Sequence, residues 1–237
     1  MKEYSIIPLV VGANETDQGV MTYLRNYGKR IWIPIYVFYI KGSDKNILID
    51  TGLEQFMVPE HVGETHGFKV MEFEEALSTV GLTPEDIDII IHTHLHNDHC
   101  ENDYKCTNAK VYVQKREMEF FNNPHPVDHR YYPDVLEGVD IIETDGDAAI
   151  TEGIDVLLTP GHSPGGQSVS VNTSAGKVII TGFCCNDQNF PKSGPAVAPG
   201  VHIDLIEAYD SIQRIKEMDA LILPLHDLGI GGRKIIP

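Results

Sequence analysis

The run from His92 to His99 places five metal-binding side chains, His92, His94, His96, Asp98 and His99, within eight residues. Imidazole nitrogen and carboxylate oxygen are the donors that zinc and similar borderline cations accept. His94 and His96 are two residues apart, so along an extended segment they project to the same side. Asp98 and His99 follow where the chain would turn into a helix. His162 stands in a turn with Pro160, Gly161, Pro164 and Gly165, which fixes the backbone tightly. His226 follows the last apolar run of the chain. A metal in such a setting polarises a carbonyl and acidifies a water, which is the chemistry of assisted hydrolysis.

Elements must hold these groups in place. Apolar and β-branched runs bounded by turn residues predict strands over residues 4–11, 31–40, 47–50, 87–91, 110–114, 139–143, 154–159, 167–171, 178–181 and 220–223. Helices are predicted over 72–80, 115–122 and 203–218, the last with Leu205, Ile206, Tyr209, Ile212 and Ile215 spaced for one apolar face. Residues 172–177 read as a hairpin turn. The candidate donors therefore fall at strand ends, on loops positioned by a rigid scaffold. Strands in two groups with helices between them predict an α/β (α+β) class, with packed mixed sheets covered by helices. Stretches 54–69 and 124–138 carry little periodicity, and connections of that length are often binding loops. Nothing resembling a linker divides the chain, so a single domain over residues 1–237 is expected.

The net charge is −17, from 35 acidic and 18 basic residues. That sign argues against nucleic acid or an anionic membrane as partner, since both need a basic surface. A small-molecule substrate is expected instead, with a homodimer open as the assembly. No window approaches a membrane span and the first residues lack a signal-peptide core, so a cytoplasmic location is expected. Cys100, Cys106, Cys184 and Cys185 form no CxxC pair and no secreted framework, which suits free thiols or ligands.

His94, His96, Asp98 and His99 meet in full the HxHxDH signature of the metallo-β-lactamase superfamily, which the chain resembles from about Val37 to Asp227. The turn of Asp50, Thr51 and Gly52, the turn of Gly161 and His162, and His226 share in the likeness. Within the superfamily the chain is most similar to the N-acyl homoserine lactonases, in the wording of residues 93–99 and 159–168 and in length. The resemblance implies an αββα sandwich with one or two metals at one edge of the sheets. It implies His94, His96 and His162 as ligands of one ion, and Asp98, His99 and His226 as ligands of a second. Asp50 resembles the family's carboxylate that orients a ligand side chain by hydrogen bonding. Zinc is the expected metal, with iron or manganese as alternatives.

The chain also departs from the family. A bridging aspartate normally follows the strand after the Gly-His turn, and register from Thr181 and Gly182 puts Phe183 there. Phe cannot bind a metal. Cys184 is the expected substitute, as a thiolate that zinc accepts readily. Cys185, His202, His92 and the absence of any bridge are the alternatives. The tyrosine that lactonases carry shortly afterwards is matched near Asn186, whose amide could donate to an oxyanion.

The expected activity is hydrolysis of a lactone or ester. Metal-bound hydroxide would attack the carbonyl, and Asp98 would act catalytically, holding the nucleophile or carrying its proton to the leaving group. A thioesterase of the hydroxyacylglutathione-hydrolase type and an iron-dependent redox enzyme are the rival readings on the same fold. A metal-binding scaffold without activity is a third.

Overall fold

Strands whose side chains are apolar on both faces must be covered on both, and here the cover is a second sheet on one side and helices on the other. The computed structural model describes residues 2–54 and 58–237. The first sheet runs in the order β1 (Ser5–Asp17), β2 (Arg30–Lys41), β3 (Ile47–Ile49), β4 (Ile89–Ile91), β5 (Lys110–Gln114) and β6 (Asp140–Thr144). Its β1–β2 and β2–β3 pairs are antiparallel, and β3 to β6 are parallel. The second sheet comprises β7 (Ala148–Thr151), β8 (Ile154–Leu158), β9 (Gln167–Thr173), β10 (Gly176–Ile180) and β11 (Leu221–Leu223), ordered β11-β10-β9-β8-β7. In it only β10 and β11 pair in parallel.

The helices are α1 (Gln18–Met21), α2 (Glu60–His66), α3 (Phe73–Ser78), α4 (Asn97–Cys100), α5 (Lys115–Asn122), α6 (Leu205–Glu217) and α7 (Leu228–Gly231). Period-two alternation sorts the strand residues between layers. Ile47, Ile49 and Ile91 meet Val169, Val171, Val178 and Ile180 between the sheets. Leu48 and Ile90 face outward onto Phe73, Ala76 and Leu77 of α3, while Ile179 and Leu157 face outward onto Ile212 and Ile215 of α6. The result is a helix–sheet–sheet–helix sandwich. Removing one of those fully buried isoleucines to Ala would cost about 2–5 kcal/mol. Among the described residues no helix is long and apolar enough to cross a membrane.

The structure departs from the expected elements most in the following places, beside the unexpected short helices α1 and α7. β1 runs on to Asp17 because its polar end pairs with Arg30, Ile31 and Trp32 across an antiparallel ladder that needs no burial. β7 was not expected; Ala148 and Ala149 carry no β-branched signal, and β8 recruits them as an edge. The aperiodic stretch 54–69 contains α2 among its described residues, with 55–57 lying outside them. In α6 the buried side chains are Ala208, Ser211, Ile212 and Ile215, whereas Ile206 and Tyr209 are exposed. Gly161 causes that rotation: a Cβ there would stand 2.0 Å from the Ala208 nitrogen, so the His162 turn presses directly on this face of the helix.

Candidate metal centre

Five strands of the two sheets lead into one cavity at their carboxyl ends. β3 delivers Asp50, β4 delivers the run from His92 to His99, β8 delivers His162, β10 delivers Cys184 and β11 delivers His226. Gln167 ties the two sheets together here. Its backbone nitrogen donates to Thr93 O at 2.8 Å and its side-chain amide to His92 O at 2.7 Å. The cavity measures about 370 Å³ and is walled by His94, His96, Asp98, His99, His162 and His226 with Val20, Ile33, Val127, Val201 and Cys184.

The donors fall into two groups. Those of His94, His96 and His162 lie within 4.8 Å of one another, and those of Asp98, His99 and His226 do likewise. Each histidine has one ring nitrogen committed to the protein. Thr93 Oγ1 donates its only proton to Asp50 Oδ2 at 2.8 Å, so at 3.0 Å it accepts from His94 Nδ1. His162 Nδ1 donates to Val201 O at 2.8 Å and His226 Nδ1 to Pro34 O at 2.9 Å. His99 Nδ1 meets Asp50 Oδ2 at 2.9 Å, and His96 Nε2 meets Asp128 Oδ2 at 3.1 Å. The free nitrogens are thus Nε2 of His94, His99, His162 and His226, and Nδ1 of His96. A donor set of five imidazole nitrogens and one carboxylate, each ring fixed from behind, fits a zinc-like cation.

Protonation states agree with that fit at every ring but His99, where burial would lower the imidazole but Asp98 and Asp50 raise it, so an ion there displaces a proton. Burial, reinforced by the neighbouring histidine charges, holds His94 and His162 well below the usual imidazole range. Burial and the His99 charge bring His226 down to about 4. Burial would raise the Asp98 carboxyl, but His99, His226 and His96 pull it below its ordinary value, so it is ionised at neutral pH.

Asp50 is the hub behind the second group. Burial would raise its carboxyl, yet His99 and His92 bring it down to about 2. It sits at φ 60°, in the left-handed region, an arrangement that costs energy in a non-glycine residue and tends to mark functional sites. Contacts with Thr93 N at 2.7 Å, Thr93 Oγ1, His99 and His92 hold it there. His92 lies behind Asp50, outside both donor groups: its Nε2 meets Asp103 Oδ2 at 2.7 Å and its Nδ1 meets Asp50 Oδ1 at 3.3 Å. Burial would lower this imidazole, but Asp103 and Asp50 raise it to about 10, so it is a cation between two carboxylates.

The other candidates are also located. Phe183 is buried in the small core under α6. Cys184 lines the cavity but belongs to neither donor group, and its thiol lies 3.4 Å from Met21 Sδ. Cys185 points away, to Thr181 Oγ1 at 3.1 Å. His202 bonds Pro199 O at 3.0 Å and packs edge-on against Tyr23. Asn186 caps the following turn, its amide donates to Gln18 Oε1 at 3.1 Å, and it is not among the residues that wall the cavity.

Two groups escaped the sequence reading. Glu117, fully buried, accepts from Leu95 N at 3.0 Å, Gly165 N at 2.8 Å and Tyr131 Oη at 2.8 Å, and so binds the HxHxDH loop to the His162 turn. Asp128 backs His96 and is gripped by Arg130. Both Asp128 and Arg130 lie in stretch 124–138, where aperiodicity was the only signal. Tyr131 packs on the His96 ring, while Tyr132 is exposed and Trp32 and Phe68 pack on the core between the sheets.

Comparison with known proteins agrees with this geometry. An N-acyl homoserine lactonase of Bacillus thuringiensis is 29% identical over 211 residues, covering 81% of this chain and 78% of the relative. A probable metallo-hydrolase of Methanocaldococcus jannaschii is 28% identical over 153 residues, covering 65% of this chain and 63% of that one. Among solved structures, an N-acyl homoserine lactone hydrolase with N-hexanoyl-L-homoserine at its catalytic metal center superposes with a TM-score of 0.78 at 26% identity, covering 97% of this chain and 95% of that chain. The family model of the metallo-beta-lactamase superfamily matches residues 30–223. With two mixed sheets between helices and both donor groups at their carboxyl edge, this chain belongs to the metallo-beta-lactamase superfamily.

Proposed function

We propose that the chain, as a single domain over residues 1–237, is a zinc-dependent hydrolase that opens a lactone or ester of the N-acyl homoserine lactone type. The observation that carries this reading is the pair of three-donor groups opening on one cavity; the likeness to lactonases supports the substrate class. His94, His96 and His162 would hold one ion, and Asp98, His99 and His226 a second, with Cys184 as the candidate seventh ligand and Asp50 orienting His99. Bound zinc would supply a water acidified toward neutral pKa and a Lewis acid for the carbonyl.

The chain's own residues do the rest. Asp98, about one-fifth exposed and 3.5 Å from His99 Nε2, takes the proton of the attacking water on its carboxylate and passes it to the leaving alkoxide. Val20, Ile33, Val127 and Val201 supply an apolar wall for the acyl group and limit access of further water. A lactone alkoxide leaves with less help than an amide nitrogen, so ring opening of a lactone suits this site better than β-lactam cleavage.

The test is an assay of zinc-loaded protein against N-acyl homoserine lactones, simple esters and a glutathione thioester, beside His96→Ala. Lactone turnover lost in the variant is the expected result. Preference for the thioester would move the chain to the hydroxyacylglutathione-hydrolase type. Absence of any turnover dependent on His96 would end the hydrolase reading.

A further inference from the structure

We propose that Arg130 is the residue that donates to the substrate's carbonyl oxygen during hydrolysis and to the carboxylate of the product. The inference rests on the hydrolase reading above and names a group which that reading leaves out. A guanidinium has five N–H donors. Arg130 spends two of them on Asp128, Nε on Oδ1 at 2.7 Å and Nη2 on Oδ2 at 2.6 Å. Its remaining side-chain hydrogens meet no protein acceptor among the described residues, and the side chain is 30% exposed. It faces the cavity that holds both donor groups and also an adjoining one of about 530 Å³, lined by Val20, Tyr27, Val127, Val201 and Ile203.

Three observations select Arg130 for this work. Among the described residues lining either cavity it is the only lysine or arginine. It lines the same cavity wall as all six donors and Cys184, so it stands at the site itself. Its position is also fixed: Asp128, with a side chain 1% exposed, holds the guanidinium by a two-point contact and is itself anchored on His96. A donor held in place before the reaction is the kind that stabilises developing negative charge most effectively. The competing amide, Asn186, turns to Gln18 and does not wall the cavity.

The chemistry balances with one water. Water oxygen adds to the acyl carbon and the carbonyl electron pair moves onto oxygen, where Arg130 donates. Collapse breaks the bond to the ring oxygen, which takes a proton. The hydroxy acid leaves as a carboxylate, with one proton released to solvent. Arg130 would therefore bind the reacting oxygen more strongly in the transition state than in the substrate, which is the condition for raising kcat.

The experiment compares zinc-loaded wild type, Arg130→Met and Arg130→Lys by lactone kinetics, by calorimetric binding of N-hexanoyl-L-homoserine and by zinc content. Arg130→Met is expected to lower kcat and product affinity by roughly 10–100-fold with zinc content unchanged. Arg130→Lys should recover part of both. If Asp128, robbed of its partner, prevents folding of Arg130→Met, the Asp128→Asn/Arg130→Met double variant removes the stranded charge. It is compared with Asp128→Asn alone, and the same loss is expected. Wild-type product affinity and kcat in a folded, zinc-containing variant would overturn the proposal while leaving the hydrolase reading intact. A wild type that neither turns over the lactone nor binds the product would overturn both.

Discussion

His94 Nε2 and His162 Nε2 lie 3.3 Å apart, and neither has a proton to place between them. Each ring has committed its Nδ1 proton elsewhere, His94 to Thr93 Oγ1 and His162 to Val201 O. Two neutral imidazole lone pairs facing each other at this distance repel. A cation between them turns the repulsion into coordination, so the folded chain stores a preference for metal in the way it orients its rings.

Metal should therefore stabilise the fold measurably. Zinc at about 100 times its dissociation constant contributes roughly 2.7 kcal/mol. For a chain of this length that corresponds to an increase in Tm of roughly 5–10 °C over chelated protein. His162→Ala should lose most of the increase. Thermal unfolding with and without chelator measures it, and an identical Tm in both would mean that the two donor groups hold no ion.

The metal-free protein should lose stability on both sides of neutrality. His226 is held at about 4, against about 6.5 for a free imidazole. Above pH 6.5 neither folded nor unfolded chain binds that proton. From about 6.5 down to about 4 the unfolded chain takes it up first, so stability falls with acid; His94 and His162 act in the same direction. His92 has the opposite sign. Raised to about 10 by Asp103 and Asp50, it supports the fold fully below 6.5, and that support is lost as pH climbs through 10. His92→Gln should cost about 3–5 kcal/mol at neutral pH, because it strands two buried carboxylates. The same variant should shrink the alkaline decline, to which His99, also raised by Asp98 and Asp50, contributes the rest, while keeping the acid one. Urea midpoints from pH 4 to pH 10 decide this, and an alkaline limb unchanged by His92→Gln would count against the ion triad.

Cys184 carries the question of the seventh ligand. Burial and the Asp98 charge push its thiol well above the usual range, so without a cation it is neutral. If it ligates, Cys184→Ala should reduce zinc from two atoms per chain to one, and metal binding should release its thiol proton. Elemental analysis of protein purified without added metal is the measurement. Two atoms per chain in the variant would assign Cys184 to the cavity wall beside Met21 and nothing more.

The parts of this architecture legible in sequence are those that local pattern encodes. β5 and α5 fall at their expected bounds because Lys110–Gln114 alternates, and Lys115–Asn122 then changes period. The six motif donors converge because each follows an apolar run, and the carboxyl ends of packed strands share one edge. Asp128, Arg130 and Glu117 were illegible for the converse reason. A carboxylate in an aperiodic loop and another at the start of an amphipathic helix look like solvated surface, and their partners lie 32 and 48 residues away. His92, one of the alternatives to Cys184, has the type and spacing of a ligand, and only tertiary contacts with Asp103 and Asp50 show it to be a brace.

Glu117 offers the sharpest check of how the site is assembled. Its carboxylate satisfies two backbone donors on separate loops, Leu95 N between His94 and His96, and Gly165 N just past His162, and it also accepts from Tyr131. Gly165 permits the approach: a Cβ there would stand 2.1 Å from the Glu117 nitrogen. Glu117→Ala leaves two buried N–H groups without partners, at about 1–3 kcal/mol each, and frees the His162 turn to drift from the HxHxDH loop. Stability should fall by about 3–5 kcal/mol in total, and zinc affinity should fall with it although no ligand has changed. Glu117→Gln keeps one acceptor oxygen and should lie between the variant and wild type. Tyr131→Phe, which removes one donor from the same carboxylate, should cost about 1 kcal/mol and leave zinc affinity near that of wild type. Chelator competition beside urea unfolding separates the two effects. Loss of stability in Glu117→Ala with full zinc affinity would show that the ligand loops hold their positions without this clamp.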